Sequence, residues 1–310
     1  MIFRILDVFV FGVLCFTPQF ASAGACCGTG SSIPALITGD FKTQLNTSYS
    51  YFGVVGDVDK DGEAVFRSTS NKEYSQTFQL QASHMWSEYW QTGVSLPLIR
   101  KTRQLGEQKS TVEGLGDVSA VVSFEFLPEL EYSKWKPRGF TYFKLTAPTA
   151  PSIYNFQDDL AADARGAGFW ETSIGGMFSK VWGRWDSQAF LEVGYFHSRK
   201  MAIKGQDEVT YSGSGKVAAS IGGGYSFLKT KDLRWGASIN PSYTGEKQVS
   251  DNRDPINERL VWSFQSGLGY VIDKEWFASL NYTDETLIGP VRSAPIGRSV
   301  GLNLSYRWPL

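Results

Sequence analysis

One acid-rich stretch has the residue types for metal chemistry. Asp57, Asp59 and Asp61 stand at alternate positions, and Gly62 follows directly. This spacing matches the first half of a calcium-binding loop, in which alternate carboxylates bind the ion and glycine permits a sharp turn. Ser68 occupies the position of the closing glutamate. A calcium site and an acid-rich turn without metal are therefore both open.

Nucleotide and nucleic-acid chemistry are not indicated. The stretch 213–216 reads Gly-Ser-Gly-Lys, but Val217 replaces the Ser or Thr of a phosphate loop, and no earlier glycine has the required offset. The 310-residue chain has a formal net charge of −1, which gives no reason to expect a nucleic-acid partner. No cofactor is expected either.

Eight other charged residues share one feature, which is a polar position in a segment where apolar and polar residues alternate. Successive residues of a β-strand point to opposite faces, so these side chains would lie on one water-facing side of a sheet. Mixed charges there could line a narrow polar channel or pair into a plug, and both remain open. The eight are Lys42, Glu125, Lys144, Glu171, Glu192, Lys216, Arg234 and Arg307.

The alternation that places these charges recurs from Gly39 to the end of the chain. In the last segment one face carries Val300, Leu302, Leu304, Tyr306, Trp308 and Leu310, whereas the other carries Ser299, Gly301, Asn303, Ser305 and Arg307. A period of two indicates strands with one apolar and one polar face. About twelve such segments begin near Phe41, Tyr74, Trp90, Asp117, Phe140, Gly168, Ser187, Gly215, Leu233, Arg259, Glu275 and Gly297.

The breaks between segments alternate in length. Long polar loops are predicted near 56–71, 100–114, 148–167, 198–212, 245–257 and 284–295, and short turns near Ser87, Gly183, Lys229 and Asp273, with one intermediate turn at 128–138. Short periplasmic turns and long external loops are typical of outer-membrane barrels. The pattern predicts an all-β fold, a transmembrane antiparallel up-and-down barrel over 39–310 with both termini at the periplasmic side.

Tryptophan positions give an independent indication. On this topology Trp170 and Trp262 lie at external strand ends, and the others lie at periplasmic ends or, for Trp135, in a periplasmic turn. Indole prefers the interface between lipid and water, so tryptophans should avoid the middle of the bilayer. The placement of the tryptophans at strand ends favours a membrane barrel over a soluble β-sandwich.

The N-terminus has the pattern of an export signal. Arg4 precedes an apolar run from Val8 to Phe16, and the small residues of 21–23 suit cleavage before Gly24. Residues 1–23 are predicted to be a cleaved signal peptide that directs the chain to the outer membrane of a Gram-negative bacterium. The role of Cys26 and Cys27 is open, because neighbouring cysteines close only a strained ring and a lipid anchor at Cys26 lacks the usual preceding residues.

The segment from residue 24 to residue 38 holds an apolar cluster before the first strand. Ile33, Pro34, Leu36 and Ile37 would be costly to leave in water. The nearest place to bury them is the periplasmic mouth of the barrel, so a partial plug is predicted. A disordered leader and a lipid-anchored one are the alternatives.

Four strings of residues, in order, resemble the outer-membrane channel family named for the meta-pathway of phenol degradation. They are Val94-Ser95-Leu96-Pro97-Leu98, Gly114-Leu115-Gly116-Asp117, Lys144-Leu145-Thr146-Ala147-Pro148-Thr149 and the glycine-led stretch 166–180. The resemblance implies a small pore that admits hydrophobic or aromatic compounds and has no shared catalytic residues. The chain departs from many barrels by ending in Leu310 rather than Phe, which the barrel-assembly machinery reads.

The function expected is a passive outer-membrane channel for small solutes, with outer-membrane lipid, lipopolysaccharide and the assembly machinery as partners. A structural or adhesive barrel that acts through its external loops is the alternative. An outer-membrane lipid hydrolase would need a Ser–His pair on the lipid side. His84 and His197 have outward parity, but His84 is predicted at the periplasmic end and no serine matches His197.

Overall fold

A computed structural model describes residues 35–202, 204–205, 207–227, 232–250 and 254–309. The predicted signal peptide, residues 1–23, lies outside the described residues, as do Ile33, Pro34 and the two mature cysteines. Within the described ranges, no helix has the length and apolar character needed to cross a bilayer.

The described chain forms sixteen β-strands. In chain order they are β1 (Phe41–Val58), β2 (Ala64–Phe66), β3 (Asn71–Met85), β4 (Trp90–Leu105), β5 (Gln108–Leu115), β6 (Val118–Leu127), β7 (Arg138–Ala147), β8 (Glu171–Trp182), β9 (Trp185–Phe196), β10 (Arg199–Met201), β11 (Val209–Tyr211), β12 (Ser214–Ser226), β13 (Leu233–Thr244), β14 (Arg259–Val271), β15 (Trp276–Asp284) and β16 (Ala294–Pro309).

Twelve of these strands close into one antiparallel barrel. Each of β1, β3, β4, β6, β7, β8, β9, β12, β13, β14, β15 and β16 pairs with the next. Strand β16 pairs back to β1, from Phe41↔Pro309 to Val58↔Ala294, and this pairing closes the barrel. The predicted fold class, an antiparallel barrel of about twelve strands, is confirmed.

The two ends of the barrel differ as the loop lengths predicted. At the short-turn end, β8 and β9 join through Gly183 and Arg184, and Gly183 has a φ of 61° that suits a residue without a side chain. At the long-loop end, three segments predicted as loops contain paired strands. Strand β2 pairs with the last residues of β1. The β4–β5 hairpin runs to Leu105↔Gln108, and β10 pairs with β11. The alternation did not indicate these strands, because their side chains are largely polar. Strand pairs that lie beyond the lipid-facing part of the barrel need no apolar face.

The two faces of the wall follow the alternation in the sequence. Leu302 is 58% exposed on the outer face, whereas Ser305 is 1% exposed on the inner face. Trp185, Trp235 and Trp308 are exposed at the short-turn end. The outer wall is therefore apolar with aromatic side chains at one rim, as a lipid-facing surface requires.

A separate aromatic cluster covers part of the long-loop end. Phe169, Phe196 and Tyr211 pack with Met201 and Val209, while Tyr154, Val249 and Ile256 lie against them. The Nζ atom of Lys247 lies 4.8 Å from the ring centroid of Phe196 and 5.3 Å from that of Phe169. Burial lowers the pKa of Lys247 to about 8. These loops therefore have a packed core of their own.

Candidate functional site: the interior of the barrel

The interior has two unlike halves. On the side of β6, β7, β8 and β9, large side chains fill the space; we call this side the packed half. On the side of β1, β3 and β12 to β16, mostly small side chains surround a cavity, which we call the polar chamber. Small inward residues leave the space that larger ones would occupy.

The N-terminal segment enters the packed half. Ala35, Leu36 and Ile37 are 5%, 9% and 1% exposed. Leu36 belongs to a buried cluster that lies inside the barrel wall, with Val121, Phe140, Tyr142, Met177, Phe190 and Ala218. The apolar residues just before the first strand are thus sheltered from water inside the barrel.

Backbone hydrogen bonds hold this segment against β3 and β4. The side chain of Gln91 accepts from the Ile37 N–H at 2.6 Å and donates to the Ile37 carbonyl at 3.2 Å. The Ser83 hydroxyl donates to the Ala35 carbonyl at 2.9 Å. Gly93 is required for this approach, because a Cβ atom there would lie 2.4 Å from the Ala35 carbonyl oxygen.

Arg138 fastens the segment on its other side. Its Nε and Nη2 atoms donate to the two carboxylate oxygens of Glu125 at 2.8 and 3.0 Å. Its Nη1 atom donates to the Thr38 carbonyl at 2.9 Å and to Asp40 at 3.3 Å. Glu125, predicted to line the lumen, therefore lies on the inner wall as the buried partner of an arginine.

Four of the predicted lumen charges form one network above the buried segment. Lys144 Nζ lies 2.6 Å from Glu192 Oε1, and Lys216 Nζ lies 2.8 Å from Glu171 Oε1. The Tyr142 hydroxyl also donates to Glu192 at 3.0 Å. Two lysines balance two glutamates, so the network has no net formal charge. Lys144, Glu171 and Glu192 are buried.

The polar chamber has a volume of about 390 Å³. Among its described lining residues only Glu285, at the long-loop rim, carries a charge. Burial raises the pKa of Glu285 to about 6. The polar side chains around the chamber are Ser48, Ser50, Thr77, Gln79, Asn240, Ser242, Ser263, Gln265, Asn281, Thr283 and Ser299.

A second, smaller space lies toward the short-turn end. Gln265 and Asn281 line both the chamber and this space, which has a volume of about 20 Å³. Arg234 lines the smaller space and is bonded to Asp186, with 2.5 Å between Nε and Oδ2. The sequence pattern indicated Arg234 as a lumen residue but did not indicate its partner Asp186.

The short-turn mouth carries the last two predicted charges. The guanidinium carbon of Arg307 lies 5.2 Å from the ring centroid of Phe41 and 5.0 Å from that of Phe277. Lys42 is exposed, and the register between β1 and β16 shifts between Phe41 and Thr43. That Lys42 lines the lumen at this mouth stays a prediction.

The acid-rich turn is held by protein groups. Arg67 donates from Nε and Nη2 to the two carboxylate oxygens of Asp57 at 2.6 and 2.7 Å. Asp59 accepts from the backbone N–H groups of Asp61 and Glu63, each at 2.9 Å. Among the described residues no group of three or more acids, histidines or cysteines is placed to hold a metal. The geometry favours the acid-rich turn over the calcium loop.

Both histidines contact threonines on the outer face. His84 Nδ1 lies 2.7 Å from the Thr43 hydroxyl, and His197 Nε2 lies 3.1 Å from that of Thr172. The His84 ring also packs against Trp86 at 4.7 Å between centroids. These contacts fit interfacial side chains, and within the described residues the hydrogen-bonding partner of each histidine is a threonine.

Comparison with solved structures identifies the same architecture. An outer membrane channel from Pseudomonas putida F1 matches with a TM-score of 0.69 and 14% identity, over 89% of this chain and 98% of that one. The NalP autotransporter translocator domain from Neisseria meningitidis (TM-score 0.45, 11% identity, 86% and 89% covered) and the NanC porin (0.45, 10%, 86% and 99%) are more distant. No protein-family model and no curated protein matches the chain. At these identities the likeness shows the fold, which is that of an outer-membrane β-barrel.

Proposed function

We propose that this protein is an outer-membrane channel through which small polar solutes diffuse passively. The observation that carries the proposal is the polar chamber, a cavity of about 390 Å³ inside a closed barrel. An apolar outer wall and a polar interior are the two surfaces that a membrane pore needs. In this proposal the short-turn end faces the periplasm and the long-loop end faces outward.

The lining favours solutes that exchange hydrogen bonds without a full charge. Hydroxyl and amide groups both donate and accept, so they can replace the water that a polar solute loses in a narrow passage. Phe52 adds one aromatic side chain to this lining. Hydroxylated aromatic compounds would therefore be compatible with the chamber. Such compounds fall within the aromatic solutes that the family resemblance implies.

The same proposal gives residues 24–38 the role of a partial plug. The burial of Ala35, Leu36 and Ile37 supports it, together with their hydrogen bonds to Ser83 and Gln91. The described part of the segment, residues 35–38, lies beside the polar chamber and outside its lining. Solute flow would consequently be confined to one side of the lumen.

Liposome swelling tests the channel directly. Liposomes that contain the folded protein should swell in isotonic glycerol or arabinose, and the rate should fall steeply as the sugar grows beyond the size of a monosaccharide. Liposomes with the same amount of heat-unfolded protein provide the control. Swelling no faster than in that control would reject the channel and favour a structural or adhesive barrel.

A further inference from the structure

We propose that the long-loop end of the polar chamber binds a saccharide ring, with Phe52 as the surface against which that ring packs. This inference rests on the proposed function, because it names the class of solute that the channel would admit. Phe52 is a half-buried aromatic residue among the polar residues that line the chamber. Within the described part of the chain its ring has no aromatic or cationic partner, so a solute can pack against it.

The Phe52 ring is held along the inner wall. It lies over Gly297 on the neighbouring strand β16, since a Cβ atom at Gly297 would be 2.4 Å from its Cζ atom and 2.7 Å from its Cε2 atom. Ser48 and Ser50 line the chamber on the same strand, and the period of two gives Phe52 the same inward face. One part of the ring therefore rests on the wall, while the rest borders the chamber.

A carboxylate lies beside the ring at the same glycine. The Gly297 N–H donates to Glu285 Oε2 at 3.0 Å, and the Glu285 N–H donates to the Gly297 carbonyl at 3.0 Å. These bonds fix Glu285 next to Phe52 at the end of the chamber. Among the residues that the structure describes, none donates a hydrogen bond to Oε1. A solute hydroxyl that donates to this oxygen would form a charge-assisted hydrogen bond, which is stronger than one to a neutral acceptor.

Hydroxyl groups surround the ring. Phe52, Ser299 and Thr283 lie side by side on β1, β16 and β15, since Ser299 pairs with both of the others. Ser50 and Asn281 lie on the next inward row, two residues along their strands. In the described ranges, no hydrogen bond joins the hydroxyls of Ser50, Thr283 and Ser299 to another protein group. Side chains on one face of adjacent strands are about 5 Å apart, so several of these groups can reach one small ring.

This combination favours a saccharide over an aromatic diol. The C–H groups on the face of a sugar ring are weakly positive and can pack against the negative face of Phe52. The hydroxyl groups at the edge of the sugar match the polar groups around it, whereas an aromatic diol would leave several of them against an apolar edge. The chamber volume of about 390 Å³ is near the lower end of the range for small-molecule sites, about 300 to 1,000 Å³. A monosaccharide therefore fits better than a longer chain.

The test is the interruption of single-pore currents by D-glucose in planar bilayers, with glycerol as a solute that has hydroxyl groups but no ring. We expect a saturable block by glucose and only a gradual fall in current with glycerol. Phe52→Leu should raise the half-blocking concentration of glucose about threefold to tenfold. The matched control is Tyr51→Leu, which removes an aromatic ring from the adjacent, lipid-facing position and should leave the block unchanged.

Saturation-transfer NMR measures the same site without a pore, on the folded barrel in a detergent that has no sugar headgroup. Glucose signals that weaken with Phe52→Leu but not with Tyr51→Leu would support the site. Equal effects of the two variants, or a stronger block by catechol than by glucose, would overturn the saccharide site and leave the channel standing. If the wild type forms no discrete pore, the proposed function fails, and the NMR comparison alone decides the site.

Discussion

Gly93→Ala should detach the N-terminal segment from the barrel wall. The added Cβ atom would lie 2.4 Å from the Ala35 carbonyl oxygen, 3.0 Å from Val121 and 3.1 Å from the Ala35 Cβ atom. Ordinary contact between such atoms needs about 3.4 Å, so the segment must move by about 1 Å. That shift would disturb the hydrogen bonds that Ser83 and Gln91 form with the backbone of Ala35 and Ile37.

The energetics of docking indicate how large the effect should be. Burying Leu36 and Ile37 contributes about 4 to 5 kcal/mol, and the hydrogen bonds from Ser83, Gln91 and Arg138 contribute about 4 kcal/mol together. Ordering four residues costs about 6 kcal/mol. The docked state is then favoured by about 2 kcal/mol, which leaves about 3% of molecules undocked. Overpacking by one methyl group costs about 1 to 3 kcal/mol and should bring the two states close to equal population.

Thiol labelling of Ala35→Cys measures this population, in a background where Cys26 and Cys27 are replaced by serine. With Gly93→Ala we expect labelling about tenfold faster or more, together with larger and noisier single-pore currents. Gly215→Ala is the control, because a Cβ atom there would have nothing within 4 Å. Equal labelling rates and equal currents in the two variants would refute both the docking energetics and the plug.

Three further outcomes follow from the barrel and its rim. The folded protein should migrate differently on mild-detergent gels before and after boiling, because a closed barrel resists unfolding; identical migration would contradict the closed sheet. Leu304→Arg, on the lipid side, should destabilise the barrel by about 2 to 4 kcal/mol. The neighbouring inward substitution Asn303→Arg should be tolerated. Equilibrium unfolding of both variants in urea measures the difference. Cation preference should rise as pH increases through about 6, since burial raises the pKa of Glu285 to about 6 and its carboxyl group is charged only above that value. Glu285→Gln should remove this pH dependence, and a persistent dependence would assign it to another group.

The face of each residue could be predicted from the sequence, because side-chain direction in a strand depends only on the period of two. The alternation from Ser299 to Leu310 therefore anticipated the wall of β16. At Lys42 the register shifts between β1 and β16, so the period of two does not fix the face of that side chain. The alternation also missed the hairpin over 100–114, where charged strands pair beyond the apolar belt.

The partners of the inward charges could not be predicted, because they depend on register and on the size of the residues between them. Lys144 on β7 reaches Glu192 on β9 across β8. Tyr142 on β7 reaches the same carboxylate, and it needs a glycine on the intervening strand, since a Cβ atom at Gly175 would lie 2.3 Å from its hydroxyl oxygen. Asp186 was missed for a simpler reason: the strand was predicted to begin near Ser187, whereas it begins at Trp185.

The most direct test of the central claim, that solutes pass through the polar chamber, is single-pore conductance of Asn281→Trp in planar bilayers. Asn281 lines both the chamber and the smaller space below it, so an indole there should obstruct the path. The matched control is Tyr282→Trp, one residue further on and exposed on the lipid face. We predict discrete pores for the wild type and for Tyr282→Trp, and loss of most of the current for Asn281→Trp. Unchanged current through a correctly folded Asn281→Trp barrel would contradict the account.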